Sequence, residues 1–276
     1  MHARPSRLDQ HVVHRPLERQ VGEAVIVDVA DLAAAQMKLG AARAVRDSGD
    51  ARPATNLGDH TVAASLHVWR STTEVAAMRV VLDWDGTVTM RDSLWMLLDE
   101  FGDREIFAQA EKDLGKTLSY REVMEMELAT IRVPFEEALT FLLDSVVVRE
   151  GFHELAATHN PLILSGGFHQ TIEPLLGREG VSLDVKANRI NPRRDGWLIE
   201  WRDPEPCEVC GELCKRRNLP TDRPMAYIGD GYSDRCAALA ADRIFARDAL
   251  AGHLEAEGVP FERFDTLTEV VAALAA

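Results

Sequence analysis

The stretch that decides the fold is residues 80–89, which read VVLDWDGTVT. An apolar run rich in valine ends in two aspartates separated by one residue, and a glycine and two threonines follow. Because alternate residues of a β-strand share a face, Asp83 and Asp85 should point to one place just beyond the carboxyl end of the strand. Two carboxylates that close repel each other unless a cation or a bound proton offsets their charge. The stretch therefore predicts a buried strand that ends at a site suited to phosphoryl transfer.

Two further segments have the composition of functional turns. The segment 165–167, SGG, follows the apolar run 161–164 and precedes a predicted helix. A hydroxyl group and free backbone amides at a helix N-terminus form an anion-binding site. The segment 229–234, GDGYSD, follows another apolar run. Its glycines allow a tight turn that brings Asp230 and Asp234 back toward the first aspartates.

Together with Lys215, these segments stand in the same order as the four motifs of the haloacid dehalogenase-like superfamily of phosphatases, which the chain resembles. The first motif of that superfamily is written Asp-x-Asp-Gly-Thr-Val/Ile-Thr. The resemblance covers about Met78 to the C-terminus and is strongest to the phosphoserine phosphatase-like branch. That branch includes the methionine-salvage phosphatases acting on a methylthio-ketopentenyl phosphate. The resemblance implies a magnesium-dependent phosphomonoesterase that hydrolyses a small phosphorylated metabolite through an aspartyl-phosphate intermediate.

The resemblance also implies roles for individual residues. Asp83 would attack phosphorus, while Asp85 would protonate the departing alkoxide and then deprotonate the hydrolytic water. Magnesium would be held by an Asp83 oxygen, the backbone carbonyl of Asp85 and the Asp230 carboxylate, with waters completing an octahedron. Asp234 would bind the metal through water or orient Lys215. The predicted set is catalytic Asp83, Asp85 and Lys215, phosphate-binding Ser165, Gly166 and Thr87, and metal-binding Asp83, Asp85, Asp230 and Asp234.

The residue at position 85 discriminates among branches of the superfamily. Halide-releasing members have no use for an acid there and transport ATPases carry a threonine, so Asp85 favours a phosphatase or a phosphomutase. A phosphomutase or phosphotransferase is the nearest alternative, but the Gly-Asp-Gly-x-x-Asp form of the fourth motif favours hydrolysis. The fixed cation beside the phosphoryl group is predicted to be Lys215, with Arg216 and Arg217 as alternatives.

Cysteines beside the predicted lysine suggest a function of another class. Cys207, Cys210 and Cys214 combine a Cys-x-x-Cys spacing with a third thiol four residues on, which could hold zinc or cycle as a redox pair. A non-catalytic zinc or thiol protein would explain these residues but not the four motifs. A four-coordinate zinc site also needs a fourth ligand, which the local sequence does not supply. Related phosphatases carry cysteines at this place as well, so the thiols could instead only shape the loop.

Strand-like and helix-like runs alternate along the chain. Segments 186–190 and 197–201 predict a small β-hairpin around an Asp-Gly turn. Because the candidate residues follow predicted strands, we expect a doubly wound, Rossmann-like α/β fold with a parallel sheet and its site along the carboxyl edge. Strands are predicted at 80–82, 161–164, 225–228 and 243–247, and helices at 237–241 and 267–275.

The segment 91–148 has a strongly helical pattern and lies between the first and second motifs, where the family inserts a cap. Ser93 and Ser119 are predicted to cap two of its helices, and Pro134 to open a third. Such a cap excludes water from the phosphoryl site and recognises the leaving group. Its charged residues are either specificity determinants or solvated helix charges. The candidates are Arg91, Asp92, Arg121 and Arg132.

The charge of the chain excludes some functions. The net charge is −14 and falls entirely after residue 77, because residues 1–77 carry equal numbers of acidic and basic residues. Such an acidic protein is a poor candidate for nonspecific nucleic-acid binding. No apolar run of about 18 residues is present, so we expect a cytoplasmic protein with no membrane partner. We predict three parts: an N-terminal extension at 1–77 that is poorly ordered or non-native, a core at 78–90 and 149–276, and a helical cap at 91–148. The extension is a disordered segment, an added regulatory arm or translated upstream sequence, and we favour the last, with Met78 as the true start.

Overall fold

The computed structural model describes residues 78–276, so the extension predicted for residues 1–77 lies outside the described residues. The described part contains a mixed seven-stranded sheet with helices packed on both faces. Its strands are β1 (Arg79–Leu82), β2 (Leu162–Phe168), β3 (Val185–Asn191), β4 (Leu198–Glu200), β5 (Met225–Gly229), β6 (Arg243–Ala246) and β7 (Glu262–Arg263). Its α-helices are α1 (Ser93–Phe101), α2 (Arg104–Asp113), α3 (Tyr120–Leu128), α4 (Phe135–Ser145), α5 (Phe152–His159), α6 (His169–Arg178), α7 (Arg235–Ala238), α8 (Asp248–Ala256) and α9 (Leu267–Leu274).

The strand that carries the first motif lies in the middle of the sheet. The strand order is β4-β3-β2-β1-β5-β6-β7, and every neighbouring pair is parallel except β3 and β4. Val80 and Leu82 belong to the hydrophobic cluster on one face of the sheet, and Val81 to the cluster on the other. A strand buried on both faces reads as a continuous apolar run, as β1 does. These features confirm the predicted doubly wound α/β fold.

Strand β2 is longer than predicted. The sequence predicts a turn at 165–167, and this prediction is wrong because the strand continues to Phe168. Phe168 pairs with Asn188 of β3 after a shift in register beyond Leu164. Helix α6 then begins at His169, where a helix start is predicted. The Ser-Gly-Gly segment therefore lies within β2, between two positions that pair with β3.

The predicted hairpin is present at one edge of the sheet. Strands β3 and β4 are antiparallel, with Ile190 opposite Ile199. Because β3 also pairs in parallel with β2, the hairpin extends the main sheet instead of forming a separate addition. Trp197, just before β4, is fully buried, and its indole Nε1 donates to the carbonyl of Val133 at 3.0 Å. The hairpin thus packs against the chain between α3 and α4.

The helical segment (residues 91–148) contains α1 to α4. Ser119 caps α3 as predicted, in a capping box with Glu122. Ser93 does not cap α1; the side chain of Asp92 accepts a hydrogen bond from the backbone N–H of Trp95 at 3.0 Å. The prediction for Ser93 is wrong because its hydroxyl is engaged by Asp85. The assignment of this segment as a separate cap stays a prediction.

Candidate active site

A cavity of about 880 Å³ lies at the carboxyl edge of the sheet. Asp83 directly follows β1, Ser165 lies within β2 and Asp230 directly follows β5, and all three line this cavity. Strand β1 is the neighbour of both β2 and β5, so the chain order reverses here. The cavity therefore occupies the topological switch point, where ligands of open α/β sheets bind.

Lys215 supplies a fixed cation to the cavity. Its side chain is 2% exposed, and its Nζ donates to Oδ1 of Asp83 and, at 2.6 Å, to Oδ1 of Asp234. Burial by itself lowers the pKa of Lys215, but Asp234 and Asp83 outweigh burial and raise the pKa above its ordinary value. Arg216 and Arg217, the alternatives from sequence, donate to backbone carbonyls instead.

The hydrogen-bonding capacity of Asp234 is taken up within the protein. Its Oδ1 accepts from Lys215 and from the hydroxyl of Tyr227 at 2.6 Å, and its Oδ2 accepts from the backbone N–H groups of Asp230 and Gly231 at 3.0 and 2.9 Å. The residue is also fully buried. Of the two roles predicted for Asp234, orienting Lys215 fits this arrangement better than binding a metal.

Thr87 connects the first motif to the fourth. Its hydroxyl donates to Oδ1 of Asp230 at 2.7 Å and lies 3.5 Å from Oδ2 of Asp83. Thr87 is fully buried and does not line the cavity. Its side chain therefore positions carboxylates, and the direct phosphate contact predicted for it finds no support in this geometry.

Asp85 is fixed in position through one of its own two carboxylate oxygens. Ser93 donates to Oδ1 of Asp85 through its backbone N–H, at 2.9 Å, and through its hydroxyl. Burial raises the pKa of Asp85, and the two hydrogen bonds from Ser93 oppose that rise. The other oxygen lies beside Gly167, where a Cβ atom would stand 2.6 Å from it. Asp85 is thus an oriented acid in a site with little room around its second oxygen.

The carboxylates of the cavity have the composition of a metal site. One oxygen each of Asp83, Asp230 and Asp234 lie within 4.8 Å of one another. Burial first, and then the charge of Asp234, raises the pKa of Asp83 well above its ordinary value and that of Asp230 to about 6. Carboxylate oxygens fit a hard cation such as Mg²⁺, whose charge would relieve this repulsion. The carboxylate of Asp85 lies outside the group, which leaves its backbone carbonyl as the ligand predicted from sequence.

The Ser-Gly-Gly segment presents a buried hydroxyl group to the cavity. Oγ of Ser165 accepts a hydrogen bond from the backbone N–H of Gly167 at 2.8 Å, which leaves the hydroxyl proton available to a ligand. The carbonyl of Gly166 accepts from Asn188 Nδ2 at 2.8 Å, and that of Ser165 from Arg202 at 3.1 Å. These contacts come from residues that do not line the cavity, so they fix the geometry of the segment before a ligand binds.

The helical segment forms the opposite wall of the cavity. Two of the four specificity candidates, Arg91 and Asp92, line the cavity. Arg121 pairs with Glu125 at 2.9 Å instead, and neither it nor Arg132 lines the cavity. The lining residues from this segment are Arg91, Asp92, Leu94, Trp95, Glu111, Leu114, Gly115, Lys116, Tyr120, Val123, Met124 and Glu127.

Glu127 is a cavity residue to which the sequence assigned no role. It is 1% exposed, and its Oε1 has no hydrogen-bond partner within the described part of the chain. Burial, followed by the charges of Glu111 and Asp92, raises the pKa of Glu127 to about 8. Its position on the apolar face of α3, beside Met124 and Leu128, was the available signal, since an unpaired acid on a buried face is costly.

Arg149 and Tyr227 support the site through hydrogen bonds and do not line the cavity. Arg149 is buried and donates to the backbone carbonyls of Gly86, Thr87 and Asp265 at 2.7, 2.8 and 3.0 Å. Tyr227 is the hydroxyl partner of Asp234 from within β5. Sequence gives no signal for Arg149, because its partners are backbone carbonyls, which any residue offers. For Tyr227, the alternation of side chains along β5 indicates which face of the sheet the residue lies on, but not that its hydroxyl group contacts Asp234.

A family model described as haloacid dehalogenase-like hydrolase matches residues 80–239 of this chain. The chain is 28% identical over 213 residues to a 2-hydroxy-3-keto-5-methylthiopentenyl-1-phosphate phosphatase of Bacillus mycoides (strain KBAB4), covering 72% of this chain and 96% of the relative. A protein with the same description in Bacillus thuringiensis (strain Al Hakam) has the same identity and coverage.

Solved structures share the fold. A phosphoserine phosphatase from T. onnurineus superposes with a TM-score of 0.54 at 22% identity, covering 72% of this chain and 94% of the other. A phospho-aspartyl intermediate analogue of phosphoserine phosphatase superposes with a TM-score of 0.52 at 17% identity, covering 71% and 98%. These likenesses show that the described part of the chain shares its fold with these proteins.

Proposed function

Because the chain belongs to the haloacid dehalogenase-like hydrolase family, we propose that it is a magnesium-dependent phosphomonoesterase that forms an aspartyl-phosphate on Asp83. The observation that carries this proposal is the pair Asp83 and Asp85 in one cavity with different partners. Asp83 accepts a hydrogen bond from the buried ammonium group of Lys215, whereas Asp85 accepts two from Ser93. One carboxylate is thus held beside a cation, and the other is held in place by Ser93 while burial raises its pKa.

The two aspartates divide the chemistry. A carboxylate oxygen of Asp83 forms a bond to phosphorus while the bond from phosphorus to the leaving oxygen breaks. Asp85, whose pKa is raised by burial, gives its proton to the departing alkoxide. In the second half-reaction Asp85 removes a proton from the water that attacks the phosphorus and releases Asp83. Ser93 keeps the acid in place throughout.

Three contacts are proposed for the transferring phosphoryl group. Ser165 donates its hydroxyl proton, which the hydrogen bond from Gly167 leaves available. The backbone N–H of Gly166 and the third N–H of Lys215 complete the set. Lys215 is held for this purpose by Asp234 at 2.6 Å, so that its position does not depend on the substrate.

Magnesium is proposed as the cofactor. Asp83, Asp230 and the backbone carbonyl of Asp85 would hold it, and Asp234 would stay with Lys215. When bound, the ion would supply positive charge beside the phosphoryl oxygens. The raised pKa values of Asp83 and Asp230 support this assignment, since burial and mutual repulsion cause them and a cation relieves them.

The substrate is proposed to be a small phosphorylated metabolite with an apolar part. The wall formed by the helical segment offers Leu94, Trp95 and Met124 to the leaving group. Buried Glu127 would repel a carboxylate there but can hydrogen-bond a hydroxyl or carbonyl group. A substrate of the kind named for the Bacillus relatives has this character. No helix among residues 78–276 is long and apolar enough to cross a bilayer; a cytoplasmic location stays a prediction.

The test is hydrolysis of para-nitrophenyl phosphate by the full chain and by its Asp83→Asn, Asp85→Asn and Asp99→Asn variants, with magnesium and with chelator. We expect no turnover without magnesium or Asp83, and a loss of about 10²–10⁴-fold in Asp85→Asn. Because para-nitrophenolate leaves without a proton, Asp85→Asn should also accumulate a phosphorylated chain visible by intact mass. Asp99 is exposed and pairs with Arg104, so its variant is the matched control.

Turnover by Asp83→Asn, or phosphorylation of the Asp85→Asn chain at another residue, would refute the proposed mechanism. Transfer of the phosphoryl group to a second metabolite without net hydrolysis would identify a phosphotransferase instead.

A further inference from the structure

The four cysteines of the chain lie together. Their sulfur atoms are all within 4.8 Å of one another, although Cys236 is far in sequence from Cys207, Cys210 and Cys214. We call Cys207, Cys210, Cys214 and Cys236 the four-cysteine cluster. Its fourth member is the ligand that the local sequence could not supply, and it comes from helix α7, just after the fourth motif. The proposed phosphatase chemistry uses none of these thiols.

The spacing of the sulfur atoms fits a tetrahedral metal site. Zinc binds thiolates at about 2.3 Å, which places the sulfurs of a tetrahedron about 3.8 Å apart. The sulfur atoms of Cys207 and Cys236 are 4.0 Å apart, and no pair is more than 4.8 Å apart. Disulfides would instead draw the sulfurs into two pairs about 2.0 Å apart. Four sulfurs gathered around one point are the arrangement that a single ion requires.

The backbone of the Cys-x-x-Cys loop is already shaped for this role. The N–H of Gly211 donates to the carbonyl of Cys207 at 2.8 Å, and Gly211 takes the left-handed conformation with φ +75°. The N–H of Cys207 donates in turn to the carbonyl of Glu212 at 2.8 Å. The tight turn therefore presents two sulfurs on one side.

We propose that the four-cysteine cluster binds one zinc ion as a closed structural site. Soft thiolates select zinc over the hard magnesium ion proposed for the carboxylates, so the two sites differ in the metal they take. With four protein ligands the ion has no open position for water or substrate, and its role is to hold structure. It ties the loop that precedes Lys215 to the helix that follows Asp234. Those two residues form the buried ion pair of the candidate active site.

The experiment measures the metal content of the full chain, expressed with zinc in the medium and exchanged into metal-free buffer. Variants Cys210→Ser, Cys210→His and Asp230→Asn are compared by plasma mass spectrometry. Cys210 is exposed, so its replacement leaves the core unchanged. We expect about one zinc per chain in the unaltered protein, in Asp230→Asn and in Cys210→His, which keeps a Cys₃His set. Cys210→Ser should bind zinc at least tenfold more weakly, and cobalt loaded into the unaltered protein should give thiolate charge-transfer absorption.

The outcomes that overturn the proposal are distinct. Zinc that is lost with Asp230 but kept in Cys210→Ser would belong to the carboxylates. Stoichiometric iron, a disulfide found by mass spectrometry without reductant, or four reactive thiols unaffected by added zinc would each refute the zinc site. None of these readouts depends on phosphatase activity, so a failure of the proposed function leaves the test intact.

Discussion

The charges around Lys215 do not balance within the protein. Asp83, Asp85, Asp230 and Asp234 face one buried ammonium group, and burial raises the pKa of each of the first three. Buried charges are tolerated only when they are paired. The residues of this site are therefore stable together only with added protons or an added cation, which supports the proposed metal site.

Gly86 is the residue whose size this arrangement restricts most. It takes a φ of +75°, and a Cβ atom there would overlap Oδ2 of Asp230. Gly180 has a similar φ of +68°, but a Cβ atom at that position would meet nothing within 4 Å. We predict that Gly86→Ala and Gly180→Ala each lose about 1–2 kcal/mol of stability from the left-handed backbone. Only Gly86→Ala should also lose activity, by about 10²-fold, because it displaces the carboxylate of Asp230, which is proposed to bind the metal.

Thermal unfolding and kcat/KM with para-nitrophenyl phosphate check this pair of variants. Equal activity losses in the two would show that backbone strain, and not the contact with Asp230, limits the site.

At the scale of elements, the loop after β1 is held in place by one arginine. Arg149 follows the helical segment and reaches the carbonyls of Gly86 and Thr87 on one side and of Asp265, before α9, on the other. It therefore joins three separate parts of the chain behind Asp85. Lysine carries the same charge, but its donors sit on one atom and cannot span these carbonyls.

We predict that Arg149→Lys lowers the stability by about 2–3 kcal/mol, the cost of losing charge-assisted hydrogen bonds. It should lower kcat more than it changes KM, because the loop orients Asp85 without touching substrate. Arg178→Lys is the matched control, since Arg178 donates to the carbonyl of Leu143 on the surface, away from the cavity. Unfolding in urea and steady-state kinetics are the measurements. A change confined to KM would contradict a positioning role for Arg149.

Elements with a strong local signal are predicted well from the sequence. The apolar run of β1, the Asp-Gly hairpin and the capping box at Ser119 all have local causes, and each is correctly located. The prediction for Ser93 is wrong because its hydroxyl bonds to Asp85, a tertiary partner that no local rule contains. The prediction of a turn at the Ser-Gly-Gly segment is wrong because pairing of Leu164 and Phe168 with β3, on either side of the segment, keeps it within the strand. Helix α8 and the two-residue strand β7 are not predicted, because the apolar residues of neither segment show a clear helical or strand periodicity.

At the scale of the whole molecule, the strand order explains why the candidate site could be predicted at all. Its residues are scattered from Asp83 to Asp234, but parallel strands bring their carboxyl ends to one edge. The motifs therefore located the carboxylates and Lys215. They could not place Cys236 beside Cys207, because neither segment alone indicates that two side chains distant in sequence lie close together.

The folded protein should also be more stable against unfolding when one residue of the candidate site, Asp230, loses its charge. Burial and the charge of Asp234 raise the pKa of Asp230 to about 6. A carboxyl group whose pKa is raised by folding stabilises the protein below its unfolded pKa, and that stability is lost as the pH rises through about 6. At pH 8, without metal, Asp230 therefore costs about 2–3 kcal/mol. Asparagine removes the charge and can still accept the hydrogen bond from Thr87.

We predict that Asp230→Asn has a Tm roughly 4–8 °C above that of the unaltered protein at pH 8 in chelator, and that the difference shrinks toward pH 4. Magnesium should raise the Tm of the unaltered protein but not that of the variant, which should be inactive, because binding to the folded state is what stabilises. Asp144→Asn removes an exposed charge on α4 and should change neither Tm nor its response to magnesium. If Asp230→Asn were instead less stable than the unaltered protein at pH 8 in chelator, Asp230 would be a structural residue. Other residues would then have to bind the metal.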